Sequence, residues 1–324
     1  MRVEQDKYFI KDIPEKINTK LFLKKWFYEL QSLKYKLLMN LSHPNITTKK
    51  YNVAVCAIFK NEAIYLKEWL EFNHLVGVEH FFLYNNNSDD DFQEVLAPYI
   101  KRGWVTLEDW PYKQKQIKCY MHCITNYAHQ TKWLGFIDID EFIVPKSTCT
   151  VYDFLKNFEN RCSVNIYWRL FGTSGLIERD LNGLVCEEFT VCWPKFCNIG
   201  KCFYNTAFGF DFKSDHSEQL HHRFWGNWNG INLPPVNIFD HVCVGNRHIA
   251  NDSNFPIQIN HYFTKSYKEY AIKRSKGDVY FKVNPHDEDY FFEHEQKCTS
   301  NDYSAYKYLI KLKLAMGECY NGKA

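Results

Sequence analysis

Two aspartates one residue apart, Asp138 and Asp140, followed directly by Glu141, close the apolar run Trp133-Leu134-Gly135-Phe136-Ile137. Side chains alternate along an extended strand, so if strand geometry persists through Ile139 both aspartates face one side and Ile139 the other. Two carboxylates on one side make a hard oxygen site suited to Mn2+ or Mg2+, with the phosphate oxygens of a ligand completing the octahedron. The chemistry implied is neutralisation of a diphosphate leaving group. A bare Asp-x-Asp is more often an acidic turn at a strand end, so the spacing acquires meaning only from its context.

That context starts with the elements that must position the pair. Val53–Phe59 is a continuous apolar run of the kind buried on both faces of a parallel sheet. It leads into Lys60-Asn61-Glu62, where Asn61 is expected to cap a helix carrying Tyr65, Leu66, Trp69, Leu70 and Phe72 on its apolar side until Gly77 ends it. A second strand at His80–Tyr84 runs into the polar turn Asn85-Asn86-Asn87-Ser88-Asp89, which starts a helix ending near Gly103. A third strand at Trp104–Glu108, a helix over Lys115–Gln130 and a fourth strand at Trp133–Ile137 complete a doubly wound order. Ligands of such sheets bind beyond the carboxyl ends of the strands, which is where the acids emerge. After Asp140 the pattern loosens, with strands expected at Val164–Trp168 and Val242–Val244 between long loops rich in Gly, Asn and aromatic residues.

Composition narrows the function classes. The chain has 324 residues, 40 basic and 38 acidic, for a formal charge of +2, so no global field recruits nucleic acid. Its 45% hydrophobic and 24% charged residues are those of a globular protein. The aromatic content of 18% suits stacking on sugar rings, although burial explains most rings. Twelve cysteines form no Cys-x-x-Cys pair and no Cys/His cluster at zinc spacing, and neither a signal-type apolar core nor a run of spanning length is present. Structural thiols in a reducing cytosol are expected. No Gly-rich phosphate loop or dinucleotide fingerprint occurs. Lys24-Lys25-Trp26-Phe27-Tyr28 and Lys307–Leu314 mix basic and apolar residues as interfacial helices do, the alternative being terminal helices docked on the core.

Lys60-Asn61-Glu62, Glu68-Trp69 and the stretch from Asn73-His74 to Gly77 resemble the opening motif of glycosyltransferase family 92, and Trp133 through Phe142 resembles its metal motif. Phe171-Gly172-Thr173-Ser174-Gly175 and His261-Tyr262-Phe263-Thr264-Lys265-Ser266, followed by Lys273 and Gly277, resemble two later motifs in the same order. The resemblance covers about residues 52–280, lacks the membrane anchor usual in animal members, and diverges from Lys195 to His248. It implies an α/β fold of the GT-A type, a mostly parallel twisted sheet flanked by helices.

The resemblance also implies roles. Asp138, Asp140 and His261 would hold Mn2+ or Mg2+, a neutral imidazole being a ready ligand. Lys265 would meet the diphosphate as a point charge. Lys60, Asn61, Glu62, Asn85, Asn87, Asp89 and Gln116 join Asp138 and Lys265 on the nucleotide-sugar side, with plain turn chemistry an equal reading of Asn85–Asp89. Family members are taken to invert the anomeric centre, which needs a carboxylate base. Glu187, in Val185-Cys186-Glu187-Glu188-Phe189, is the candidate and Asp215 its competitor.

The organisation expected is a basic and aromatic extension over 1–49, a catalytic domain over 50–280 with its nucleotide half ending at 142, and a helical extension over 281–324. The function expected is transfer of a hexose, galactose by family analogy, from a UDP-sugar to a saccharide hydroxyl of a glycan or glycolipid such as lipopolysaccharide. A cytoplasmic location follows, peripheral on the inner membrane face if the basic helices bind lipid. One rival, a sugar nucleotidyltransferase, is disfavoured by the missing triphosphate loop. The other, a silent saccharide-binding module, would have no use for a metal–diphosphate site.

Overall fold

Tyr51–Phe59 (β1) is buried along almost its whole length, as a continuous apolar run demands. The computed structural model describes residues 19–42, 48–113, 115–213, 215–244, 254–275 and 286–317, without the side chains of residues 20, 21, 24, 25, 215 and 216. Before β1 comes one long helix, Thr19–Leu41 (α1). After it, Ala63–Leu75 (α2) buries Tyr65, Leu66, Trp69, Leu70 and Phe72, and the chain reverses at Gly77, whose φ of 100° favours glycine. His80–Asn85 (β2), Phe92–Lys101 (α3), Val105–Asp109 (β3), Gln116–Tyr127 (α4) and Thr131–Phe136 (β4) follow in the expected alternation.

These four strands pair in parallel in the order β3-β2-β1-β4. The order reverses between β1 and β4, so the chain leaving each of them opens onto one crevice. Glu141–Pro145 (β5), Val151–Leu155 (α5), Ser163–Leu170 (β6), Val185–Glu188 (α6), Val191–Cys192 (β7) and Gly200–Asn205 (β8) carry the chain into the second half. Gly226–Trp228 (β9), Ile231–Leu233 (β10), Val236–Asn237 (β11), Ile257–His261 (β12), Tyr267–Ser275 (α7), Glu288–Lys297 (α8), Ser300–Asn301 (β13) and Leu309–Ala315 (α9) complete it. The main sheet continues β4-β8-β6-β12-β5, with β11 beside β6. Here β8 runs antiparallel to both β4 and β6, and β5 antiparallel to β12. The α/β fold with helices flanking one large sheet is therefore as expected, but it is parallel in its first half and mixed in its second.

Three expectations need correction. Asn61 does not cap α2: the N-cap is Glu62, the Ala63 N–H goes to Asp90 Oδ2, and Asn61 Oδ1 accepts the Asp89 N–H instead. A neighbouring loop competes for the cap that sequence proximity assigned to Asn61. Val242–Val244 is no strand, since Val242 makes only a single bridge to Val236. The Asp138–Asp140 stretch is a turn, closed by Glu141 N–H to the Asp138 carbonyl at 3.0 Å, so strand alternation stops before the acids. Gly277 lies outside the described residues. Eleven cysteines are described, nine of them buried.

Several buried histidines couple this fold to pH. His80 and His294 are held down to about 4 and His222 to about 3, chiefly by burial in each case. The unfolded chain titrates these rings near ~6.5, so below that pH it binds more protons than the folded state and stability falls. The urea midpoint should be level above about pH 7 and decline as pH drops from about 6.5 towards 4. A midpoint unchanged across that window would mean the rings are not buried in neutral form.

Candidate functional site

The acidic turn is built by its neighbours. Trp69 Nε1–H on α2 points at two turn carbonyls, Asp138 O at 3.0 Å and Glu141 O at 2.9 Å. Ile137 N–H reaches Cys56 O on β1, and Tyr262 N–H reaches Asp140 O, so the turn is pinned to β1 and to the end of β12. Glu141 opens β5 directly across from His261, the last residue of β12.

Within this frame the three acids separate. Asp138 Oδ2 pairs with Lys201 Nζ at 2.6 Å, while its Oδ1 lies 3.4 Å from Gln116 Nε2 and 3.3 Å from the Tyr120 hydroxyl. Asp140 Oδ2 pairs with Lys273 Nζ at 2.5 Å, and its Oδ1 lies 3.5 Å from His261 Nε2, too far for a good hydrogen bond. Glu141 is fully buried, with Lys201 Nζ 3.4 Å from Oε2. Asp140, Glu141 and His261 each bring a ligand atom within 4.8 Å of the others. Asp140 Oδ1, Glu141 Oε1 and His261 Nδ1 are buried and make no hydrogen bond.

The electrostatics follow from burial and those partners. Burial opposes ionisation of Asp140, but Lys273, His261 and Lys265 outweigh it and hold the carboxyl well below its ordinary value. Burial pushes Glu141 well above its ordinary value; Lys201 pulls the other way, and the charges of Asp138 and Asp140 reinforce the rise. Burial lowers His261 against the pull of Asp140, which keeps the imidazole neutral and able to ligate. Lys265 is lowered by burial, its ammonium 4.1 Å from the Tyr65 ring centroid. Carboxyl oxygens of Asp140 and Glu141 left without hydrogen bonds, beside a neutral imidazole, fit a divalent cation, whose charge would favour the ionised form of Glu141.

Five of the nine residues expected on the nucleotide-sugar side line one of two cavities, and Lys60, Asp89, Gln116 and Asp138 line neither. Asn85 and Asn87 line a cavity of about 490 Å³ with Ser88 and Asp109, beyond β2 and β3. Asn61, Glu62 and Lys265 line another of about 120 Å³, with Lys273, Thr264 and Tyr65. The Asn61 N–H to Ser88 Oγ bond and the Asp89 N–H to Asn61 Oδ1 bond tie the two rims together. Asn85 Oδ1 accepts the Ser88 N–H three residues on, so turn chemistry is present whatever else this stretch does. Lys60 and Asp89 are exposed. Glu187 is engaged elsewhere: its carboxylate meets Lys313 of α9 at 2.8 Å, its carbonyl accepts from Tyr306, and it lines neither cavity. The Asp215 side chain lies outside the described residues.

Sequence reasoning did not single out Glu141, which converges with Asp140 and His261, nor Lys201 and Lys273 as counter-charges. Lys201 did leave a signal, as the lone charge in the otherwise uncharged strand β8; a buried ammonium requires a partner. Gly200 beside it lets β8 approach, because a Cβ there would sit 1.9 Å from the Ile166 carbonyl oxygen.

Comparison with known proteins bears on the same turn. The family model for glycosyltransferase family 92 matches residues 49–180. A family 92 protein of Oryza sativa subsp. japonica is 36% identical over 111 residues, 34% of this chain and 19% of that protein. A galactan beta-1,4-galactosyltransferase of Arabidopsis thaliana is 32% identical over 110 residues, covering 30% and 22% of the two chains. The chain thus spans about a fifth of the length of such relatives. Among solved structures, TarS 1-349 of S. aureus aligns over 84% of this chain and 76% of its own, at 10% identity and a TM-score of 0.35.

Removing the Lys201 charge should expose how much the turn depends on it. Lys201→Met strands Glu141 and part of Asp138, and should cost about 2–4 kcal/mol in urea denaturation at pH 7, allowing for the partial exposure of Asp138. Adding Asp138→Asn should recover part of that loss; strict additivity would show that the two do not interact. Residues 49–180, which carry the opening motif and the whole acidic turn, are the stretch in which the chain is similar to glycosyltransferase family 92.

Proposed function

We propose that this chain is a metal-dependent glycosyltransferase of the GT-A type that moves a hexose from a UDP-sugar to a saccharide hydroxyl of a glycan or glycolipid. The observation that carries this reading is the convergence of Asp140, Glu141 and His261, with Asp140 Oδ1 and Glu141 Oε1 buried and free of hydrogen bonds in a turn that lies within the stretch matched by the family model. Asp140, Glu141 and His261 would hold Mn2+ or Mg2+, with Asp138 turned to the nucleotide beside Gln116. When bound, the cation would supply charge neutralisation at the diphosphate. Galactose is favoured as the hexose by relatives named as galactosyltransferases. Lipopolysaccharide as acceptor, and inversion at the anomeric carbon, are carried over from the family resemblance.

The chain's own residues have separable tasks. Lys273 and Lys265 are the two cations lining the smaller cavity, and both are placed to receive diphosphate oxygens. Asp138, with the Gln116 amide and Tyr120 hydroxyl against its Oδ1, offers acceptors and donors to a ribose. Asn61 and Glu62 stand at the same rim, with Lys60 just outside it. Asn85, Asn87 and Asp89 are assigned to the base side, through the larger cavity.

Calorimetric titration of UDP, against GDP, CMP and ATP, with and without Mn2+, tests this directly. UDP should bind selectively, with a Kd at least about a hundredfold weaker when Mn2+ is withheld or when Asp140→Asn removes a ligand charge. Metal-independent UDP binding that survives Asp140→Asn would sink the metal assignment; no nucleotide binding at all would leave a saccharide-binding module. Glu187→Gln, because the carboxylate is paired with Lys313, should retain transfer within about threefold, whereas a loss of about a thousandfold would make Glu187 the base.

A further inference from the structure

The helix α1 has two unlike faces. One is docked: Met39 is fully buried, Tyr35 meets Trp225 edge-on at 6.2 Å, Lys36 pairs with Asp240 at 3.0 Å and Asn40 accepts from Arg161. The opposite face is apolar and open. Phe22, Trp26, Leu30, Leu33, Leu37 and Leu41 follow at spacings of three and four, each at least 50% exposed. Leu23 and Phe27 widen the stripe and are exposed to a similar degree. At 3.6 residues per turn these eight positions fall within an arc of about 140°, the width of a fully apolar helix face.

Single exposed leucines need no explanation, but a continuous stripe along a 23-residue helix does. Its charge says what covers it. Five lysines, at 20, 24, 25, 34 and 36, stand against the single Glu29, so the helix is basic as well as amphipathic. A basic helix with aromatic and leucine residues on its apolar face is built to lie in the interface of an anionic bilayer. None of the described helices is long and apolar enough to cross one. The second basic segment, α9, behaves otherwise: Leu309 and Leu312 are buried and Lys313 is paired with Glu187.

We propose that residues 19–41 bind an anionic lipid surface, the stripe from Phe22 to Leu41 at the acyl boundary and the net basic charge of the helix drawing it to anionic headgroups. Attachment of this kind is independent of the transfer reaction, and its test needs no donor. Flotation of the full chain with vesicles of phosphatidylcholine, alone or with about a third phosphatidylglycerol, reads it. The protein should float with the anionic vesicles, weakly with the neutral ones, and less as salt rises. Leu30→Asp/Leu37→Asp should reduce flotation about tenfold or more while leaving circular dichroism and the thermal midpoint unchanged. Should that pair misfold, Lys24→Glu/Lys25→Glu leaves the stripe intact and should abolish the preference for anionic lipid. Failure of the wild type to float overturns the proposal, as does full flotation of the folded Leu30→Asp/Leu37→Asp protein. A concentration-dependent dimer that the same pair dissolves, without flotation, also overturns it and gives the stripe to a second copy of the chain.

Discussion

Three carboxylates within four residues, at the end of a buried strand, cannot coexist unless cations reach them, and the arrangement of the second half of this protein is a solution to that constraint. Desolvating an unpaired carboxylate is prohibitive, so a group so placed either finds a counter-charge or takes up a proton. Both outcomes occur here. Lys201 answers Asp138, Lys273 answers Asp140, and Glu141, most deeply buried and nearest to like charges, is driven towards its neutral form. The lone pairs left over on Asp140, Glu141 and His261 are the residue of this accounting, and they are where a divalent cation would fit.

The strand directions explain how the cations arrive. In a purely parallel sheet only carboxyl ends reach the ligand edge. Because β8 runs antiparallel to β4, pairing Gly135 with Phe203, its first residues come to the edge where β4 ends, and Lys201 is carried in next to Asp138. β12 runs parallel to β6 and so reaches this edge with its carboxyl end, and its antiparallel pairing with β5 sets His261 opposite Glu141. Lys273 comes from α7, the helix that follows β12. The reversal of β8 is thus the means by which Lys201 meets the acids that follow β4.

The rim of the crevice is held by a different chemistry. The loops after β1 and β2 exchange backbone and side-chain hydrogen bonds through Asn61, Ser88, Asp89 and Asp90, which leaves few of their polar groups idle. Asn61 adopts a φ of 54° and Asn87 one of 56°, a left-handed conformation that asparagine tolerates better than most residues. Two separate cavities result, one on each side of this knot, with the cationic one nearer the acidic turn.

Local pattern was enough to read the parallel half. An apolar run such as Val53–Phe59, a helical repeat such as Tyr65–Phe72 and a reversal at Gly77 are short-range statements, and the strands and helices appear where those patterns put them. The acids were legible for the same reason, being adjacent in the chain, and Gln116 does meet Asp138. What the sequence alone could not decide were interactions whose partners lie far apart along it. Asp90 rather than Asn61 serves the start of α2, Lys201 reaches Asp138 across 63 positions, Lys273 reaches Asp140 across 133, and Glu187 is drawn to Lys313 across 126. Period-two reasoning failed at Asp138–Asp140 because a hydrogen-bonded turn, held by Trp69 and closed by Glu141, replaces the extended backbone on which it depends. Residue type and spacing determine which groups are available to do chemistry; which of them face one another is set by strand direction and register, and those are fixed only when the sheet is assembled.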